Sequence, residues 1–160
     1  MGSVKKVSGE LASRHRAEDL ISLLSSPARF APCIPGLISY EPLDDRSIRV
    51  RARLDISDAG IPEMTSITST LTISLLSIEG GRARFRISGK AAGSSYEANL
   101  EVAVEPLEGG SRIYWSAEIT LGRLLEMLDR FLGVGEVDRR IAIQALESVD
   151  RCLEKGRPPR

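Results

Sequence analysis

Histidine is nearly missing from this chain of 160 residues: the only one is His15, between Arg14 and Arg16. A single loop histidine with no Cys, Asp or Glu at ligand spacing beside it is a solvated side chain, so neither a metal site nor a cofactor is expected. Charge of one sign is missing as well. Twenty-two basic and twenty-two acidic residues leave a formal net charge of +0, which removes the electrostatic case for a nucleic-acid partner, since such partners call for a basic face or stripe. No run of about 18 apolar residues exists to span a bilayer. The segment Met1 to Glu10 carries Lys5 and Lys6 without a following apolar stretch, so it does not read as a secretory signal. The compartment expected is the cytoplasm. Cysteine is scarce: Cys33 and Cys152 stand far apart and outside any zinc or Cys-x-x-Cys spacing. They are expected as two reduced core thiols, because bridges are rare in the cytoplasm. Nucleophile motifs are also absent: there is no Gly-x-Ser-x-Gly, and neither cysteine has a local histidine partner.

What is present is periodicity. The length suits one domain, 1–160, with frayed ends over 1–4 and 155–160, able to bury roughly two thirds of its unfolded surface. Lys5 to Ser13 alternates as a first strand, with Val7, Gly9, Leu11 and Ser13 on one parity. Two short helices follow, over 16–25 with Ala17, Leu20, Ile21 and Leu24 at helical spacing, and over 27–33 opened by Pro27. From Leu37 to Leu121 the period is two. Ile48, Val50 and Ala52 oppose Arg49, Arg51 and Arg53; Ile73 and Leu75 oppose Thr72 and Ser74; Ala83, Phe85 and Ile87 oppose Arg82, Arg84 and Arg86. Tyr96, Ala98, Leu100, Val102 and Val104 oppose Glu97, Asn99 and Glu101, and Ile113, Trp115, Ala117 and Ile119 oppose Tyr114, Ser116 and Glu118. Each strand thus has one apolar and one solvated face.

The turns predict the pairing. Gly93-Ser94 as a two-residue hairpin turn sets Ala92 against Ser95, and with it Lys90 against Glu97, Arg86 against Glu101 and Arg82 against Glu105. Glu79-Gly80-Gly81 as a three-residue loop pairs Ile78 with Arg82, Ile73 with Ile87 and Leu75 with Phe85. Asp44-Asp45 with Glu41 is the polar turn before the third strand rather than an acid-base cluster. After Leu121 the period returns to 3.6. A short helix with Leu124, Leu125, Leu128, Phe131 and Leu132 on one side ends at Gly133 and Gly135, and a long one runs over about 136–154. The fold class that follows is α+β: a curved antiparallel sheet of six or seven strands wrapped around a long C-terminal helix, with two short helices after the first strand.

This element order resembles the helix-grip fold of the START-like (SRPBCC) superfamily. Within it, Leu23-Leu24-Ser25-Ser26-Pro27 followed by Cys33-Ile34-Pro35-Gly36 resembles the segment of the carbon monoxide dehydrogenase CoxG family where the first helices hand over to the second strand. Ser26 stands where that family carries an acidic residue. No apolar tail follows Arg160, so no stable membrane anchor is expected. The resemblance implies a carrier or maturation partner of molybdenum hydroxylases, delivering a quinone-like lipid, rather than a catalyst.

Function is expected on the apolar inner face, where a sheet and a helix that do not fully close leave a small-molecule cavity. The lining residues expected are Ser69, Ile73, Phe85, Ile87, Leu100, Val102, Trp115, Ala117, Leu128 and Phe131. Their competing role is plain core packing. Two other functions fit the same sequence. A small START-like cyclase or hydrolase would use Tyr96, Trp115 or Ser69 to hold a substrate carbonyl. A homodimeric module would pair through the edge strands or the Thr68-Thr70-Thr72 strip.

Overall fold

The computed structural model describes residues 4–34, 36–55, 66–91 and 94–122. The alternating runs become seven strands: β1 (Val4–Ser13), β2 (Leu37–Pro42), β3 (Ser47–Asp55), β4 (Ser66–Glu79), β5 (Arg82–Ala91), β6 (Ser94–Leu107) and β7 (Gly110–Leu121). They form one antiparallel sheet in the order β1-β7-β6-β5-β4-β3-β2. From β2 onward each strand lies beside its predecessor, and only β1 joins out of turn, against β7. The expected helices over 124–132 and 136–154, with Leu128 and Phe131, lie outside the described residues.

Between β1 and β2 come α1 (Ala17–Leu24), α2 (Pro27–Phe30) and a 3-10 turn, Ala31–Cys33. Helix α1 has Glu18 and Asp19 in its first turn, where the helix dipole favours acids, and it buries Leu20, Leu23 and Leu24. Pro27 then takes the first position of α2, where its missing N–H costs nothing. Helix α1 lies against β5 and β6, and α2 against β2, β3 and β4. Phe30 of α2 meets Phe85 of β5 edge to face, with ring centroids 5.7 Å apart. Gly36 returns the chain to the sheet with φ of 73°, and its carbonyl accepts the Arg53 N–H at 2.8 Å. A Cβ at Gly36 would run into the Arg53 carbonyl, so both the backbone angle and the close approach require glycine here.

Cys33 is buried and disulfide-bonded, which corrects the expectation of a reduced thiol. Spacing along the chain carried no information, because a bridge needs its sulfurs close in space rather than in sequence. The only other cysteine of the chain, Cys152, lies outside the described residues.

Two turn assignments also change. Ala91 faces Ser94, so positions 92–93 join β5 to β6, and Lys90 opposes Ser95, Arg86 opposes Asn99 and Arg82 opposes Ala103. Moving a two-residue turn by one position shifts the register by two, which keeps every side chain on its expected face. The apolar pattern therefore cannot tell the two registers apart. The charges still meet, now mostly on the diagonal: Arg86 reaches Glu97 at 3.2 Å and Arg82 reaches Glu101 at 3.0 Å, while Arg84 lies directly opposite Glu101 at 3.6 Å. At the β4–β5 turn, Gly80 and Gly81 both have positive φ, a two-residue turn that pairs Glu79 with Arg82 and Ile78 with Ala83. An extra residue at Leu76 then restores the expected Leu75–Phe85 and Ile73–Ile87 pairs. Two deviations cancel. The Asp44-Asp45 segment is the polar turn expected, with Asp44 Oδ1 accepting the Arg46 N–H at 2.8 Å.

Candidate functional site: the inner face of the sheet

The register arranges the inner-face residues in rows across the central strands. Ala83, Val102 and Trp115 form one row; Leu75, Phe85, Leu100 and Ala117 the next; then Ile73, Ile87, Ala98 and Ile119; then Leu71, Gly89, Tyr96 and Leu121; and last Ser69, Ala91 and Ser94. Ile78, which continues the first row into β4, is half-buried, and the other residues named in the first and last rows are closed. Ala83, Val102 and Trp115 are 0%, 1% and 2% exposed, and Ser69, Ala91 and Ser94 are 0%, 6% and 8% exposed. Between them, Leu71, Ile87, Tyr96, Leu100, Ala117, Ile119 and Leu121 are only half-buried. Strands β4 to β7 have a neighbour on each side, so this is not edge exposure. It marks apolar side chains that stay partly exposed among the buried Ile73, Leu75, Phe85 and Ala98 of the same rows.

Of the residues expected to line a cavity, Ile87, Leu100 and Ala117 stand in this half-buried patch. Ser69, Ile73, Phe85, Val102 and Trp115 stand around it as buried rim and core. Leu128 and Phe131 lie outside the described residues. Trp115 leans over Gly9 of β1, where a Cβ would meet its ring at 2.8 Å, and its buried indole N–H has no hydrogen-bond partner. That nitrogen has almost no accessible area, so nothing reaches it in this conformation.

Sequence reasoning left Leu71, Gly89, Tyr96, Ile119 and Leu121 out of the lining. Tyr96 and Ile119 do lie on the apolar face that the alternation predicts, and a glycine inside a strand signals a close approach. Gly89 supplies that approach, because the Tyr96 ring and Leu71 occupy the space its Cβ would need. Tyr96 thereby reaches two strands across to Ser69, with 2.7 Å between the two hydroxyl oxygens. Ser69 Oγ also donates to the Lys90 carbonyl at 3.2 Å. Burial raises the Tyr96 phenol above its ordinary value of 10.0. A groove of about 550 Å³ opens at this end of the sheet, lined mostly by the outer-face Thr70, Thr72, Ser88, Lys90, Ser95, Glu97 and Thr120, with Leu71, Gly89, Tyr96, Leu121 and Gly122 beside them. Its size falls in the range of small-molecule sites, about 300–1,000 Å³.

Among the described residues no three of His, Cys, Asp and Glu come together to hold a metal, and no helix is long and apolar enough to cross a membrane. The outer face carries the arginine rows, with further bridges between Arg49 and Glu41, Arg112 and Glu10, and Lys6 and Glu118.

The fold is shared with solved structures at low sequence identity. A conserved protein from Geobacillus kaustophilus superposes with a TM-score of 0.77 at 14% identity, covering 96% of this chain and 97% of its own. A START superfamily protein from Mycobacterium smegmatis gives 0.60 at 14% identity over 92% and 98%. The Zhui aromatase/cyclase from Streptomyces sp. R1128 gives 0.63 at 15% identity over 96% and 95%. No curated protein sequence matches the chain. The sequence profile of the carbon monoxide dehydrogenase CoxG family matches residues 9–153, and the chain belongs to that family.

Proposed function

We propose that this member of the carbon monoxide dehydrogenase CoxG family is a non-catalytic carrier in the cytoplasm. It holds a hydrophobic small molecule, quinone- or lipid-like, against the inner face of its sheet in the service of a molybdenum hydroxylase. The observation that carries the proposal is the half-buried aliphatic patch between two mostly closed rows. An apolar surface left open inside a fold gains about 25 cal/mol for each Å² a ligand covers. Family membership supports the same role. Native mass spectrometry of freshly purified protein tests it: an apolar molecule retained under gentle ionisation and lost on denaturation is expected. Protein that arrives empty and takes up neither added menadione nor added phospholipid would sink the proposal.

A cyclase or hydrolase role is favoured by one feature, the Tyr96–Ser69 hydroxyl pair, which can hold a carbonyl. Acid-base chemistry needs a proton acceptor beside it. Among the described residues, no His, Asp or Glu stands on the inner face of the strands, so the carrier role accounts for more of the site.

A further inference from the structure

The hydrogen bonds at the rim of the patch decide what polar group a bound molecule must bring. We propose that the Tyr96–Ser69 pair offers the patch a hydrogen-bond acceptor and no donor, so that the carried molecule is anchored by a neutral hydroxyl, an alcohol or a phenol. This deepens the carrier role above and rests on it.

The assignment follows from counting hydrogens. A serine hydroxyl has one hydrogen and two lone pairs, and a backbone carbonyl only accepts. Ser69 is fully buried, with the Lys90 carbonyl at 3.2 Å and the Tyr96 hydroxyl at 2.7 Å as its partners. Its hydrogen goes to the carbonyl. The short contact to Tyr96 must then be donated by the phenol, at the usual O–H···O distance. With its hydrogen turned to Ser69, the oxygen of the half-buried Tyr96 keeps only lone pairs for a bound molecule. Burial holds the phenol neutral, so it does not recruit a cation by charge. An ammonium group would also pay heavily to leave water for a surface made of Leu71, Leu100, Ile119 and Leu121. What remains is an uncharged O–H donor on an apolar body. Within quinone-like cargo, that class is the reduced hydroquinone rather than the quinone, whose carbonyls meet no donor here.

The test uses the full chain and three probes of similar body: 4-pentylphenol, 4-pentylanisole, in which the donor is methylated, and 4-pentylacetophenone, which only accepts. Dissociation constants come from titration calorimetry. Wild type should bind the phenol about fivefold to tenfold more tightly than the anisole, the worth of one net hydrogen bond. Tyr96→Phe keeps the ring over Gly89, so it should erase that preference while still binding the anisole. Ser69→Ala frees the Tyr96 hydrogen and should lower the phenol-to-ketone affinity ratio by about fivefold; a purely structural pair would leave that ratio unmoved. Equal binding of phenol and anisole by wild type overturns the hydroxyl anchor and leaves the carrier role standing. An unchanged ratio in Ser69→Ala overturns the hydrogen assignment. Failure of all three probes to bind overturns the anchor and the carrier role together.

Discussion

The two parts of the inner face have the same chemistry and different fates. Around Ala83, Val102, Phe85 and Trp115 the aliphatic and aromatic side chains are sealed beneath the short helices, with Phe30, Leu20 and Leu23 among the core that covers them. Two to four residues farther along the same strands, Ile87, Leu100, Ala117 and Ile119 are just as apolar and remain half-buried. An apolar face is therefore not the same thing as a core. Stability is concentrated where α1 and α2 sit, and the open part is surface on which a ligand would be worth most.

The sharpest way to break this contrast is truncation on each side of it. Phe85→Ala should cost about 3–5 kcal/mol by chemical denaturation, as expected for a buried aromatic. Leu100→Ala should cost only about 1–2 kcal/mol, because its side chain is less completely buried. Equal losses would mean that the patch is ordinary core. The next largest effect concerns the covalent staple. Reduction, or Cys33→Ser, should lower unfolding stability by about 2–4 kcal/mol. Intact mass should show the untreated chain two hydrogens lighter than the reduced one, and equal masses would refute the bridge.

Filling is gentler than truncating and discriminates better. Ala83→Leu forces methyl groups into closed packing and should cost about 1–3 kcal/mol. Ala117→Leu adds the same groups at a half-buried position and should change stability by less than about 0.5 kcal/mol, while lowering retention of any apolar cargo in native mass spectra. Matching losses at both sites would erase the distinction. The smallest effect is a titration. Burial raises the folded-state pKa of Tyr96 above 10.0, so the unfolded chain ionises first. The neutral phenol's contribution is fully present below pH 10 and is lost as the pH rises above it. Thermal unfolding between pH 8 and 11 should show a decline above pH 10 that is shallower in Tyr96→Phe. Identical curves would show that this phenol does not feel its burial.

Particular residues show how far sequence patterning reaches. The alternation Ile48-Arg49-Val50-Arg51 and its counterparts assigned faces correctly across the sheet, because the side-chain period of a strand is a property of the backbone. Register was less legible. Closure at Ala91–Ser94 and closure at Ala92–Ser95 differ by two in register and bury the same set of side chains. At β4–β5 the glycine pattern overstates the loop by one residue, yet Ile73 and Ile87 still meet because Leu76 bulges outward at 53% exposure. Tyr96 and Ser69 read as separate candidates for holding a carbonyl, and nothing in their spacing shows that the two hydroxyls meet.

Composition and periodicity alone settled the strand faces, the two short helices before β2, the glycine turn at Gly36 and the family segment ending there, since each depends on backbone geometry within a few residues. The tertiary structure decided the rest: which apolar side chains are sealed and which stay partly exposed, which arginine meets which glutamate, that Cys33 is bridged, and that Tyr96 meets Ser69. Those outcomes depend on distances between strands far apart in the chain, and a local pattern carries no record of such distances.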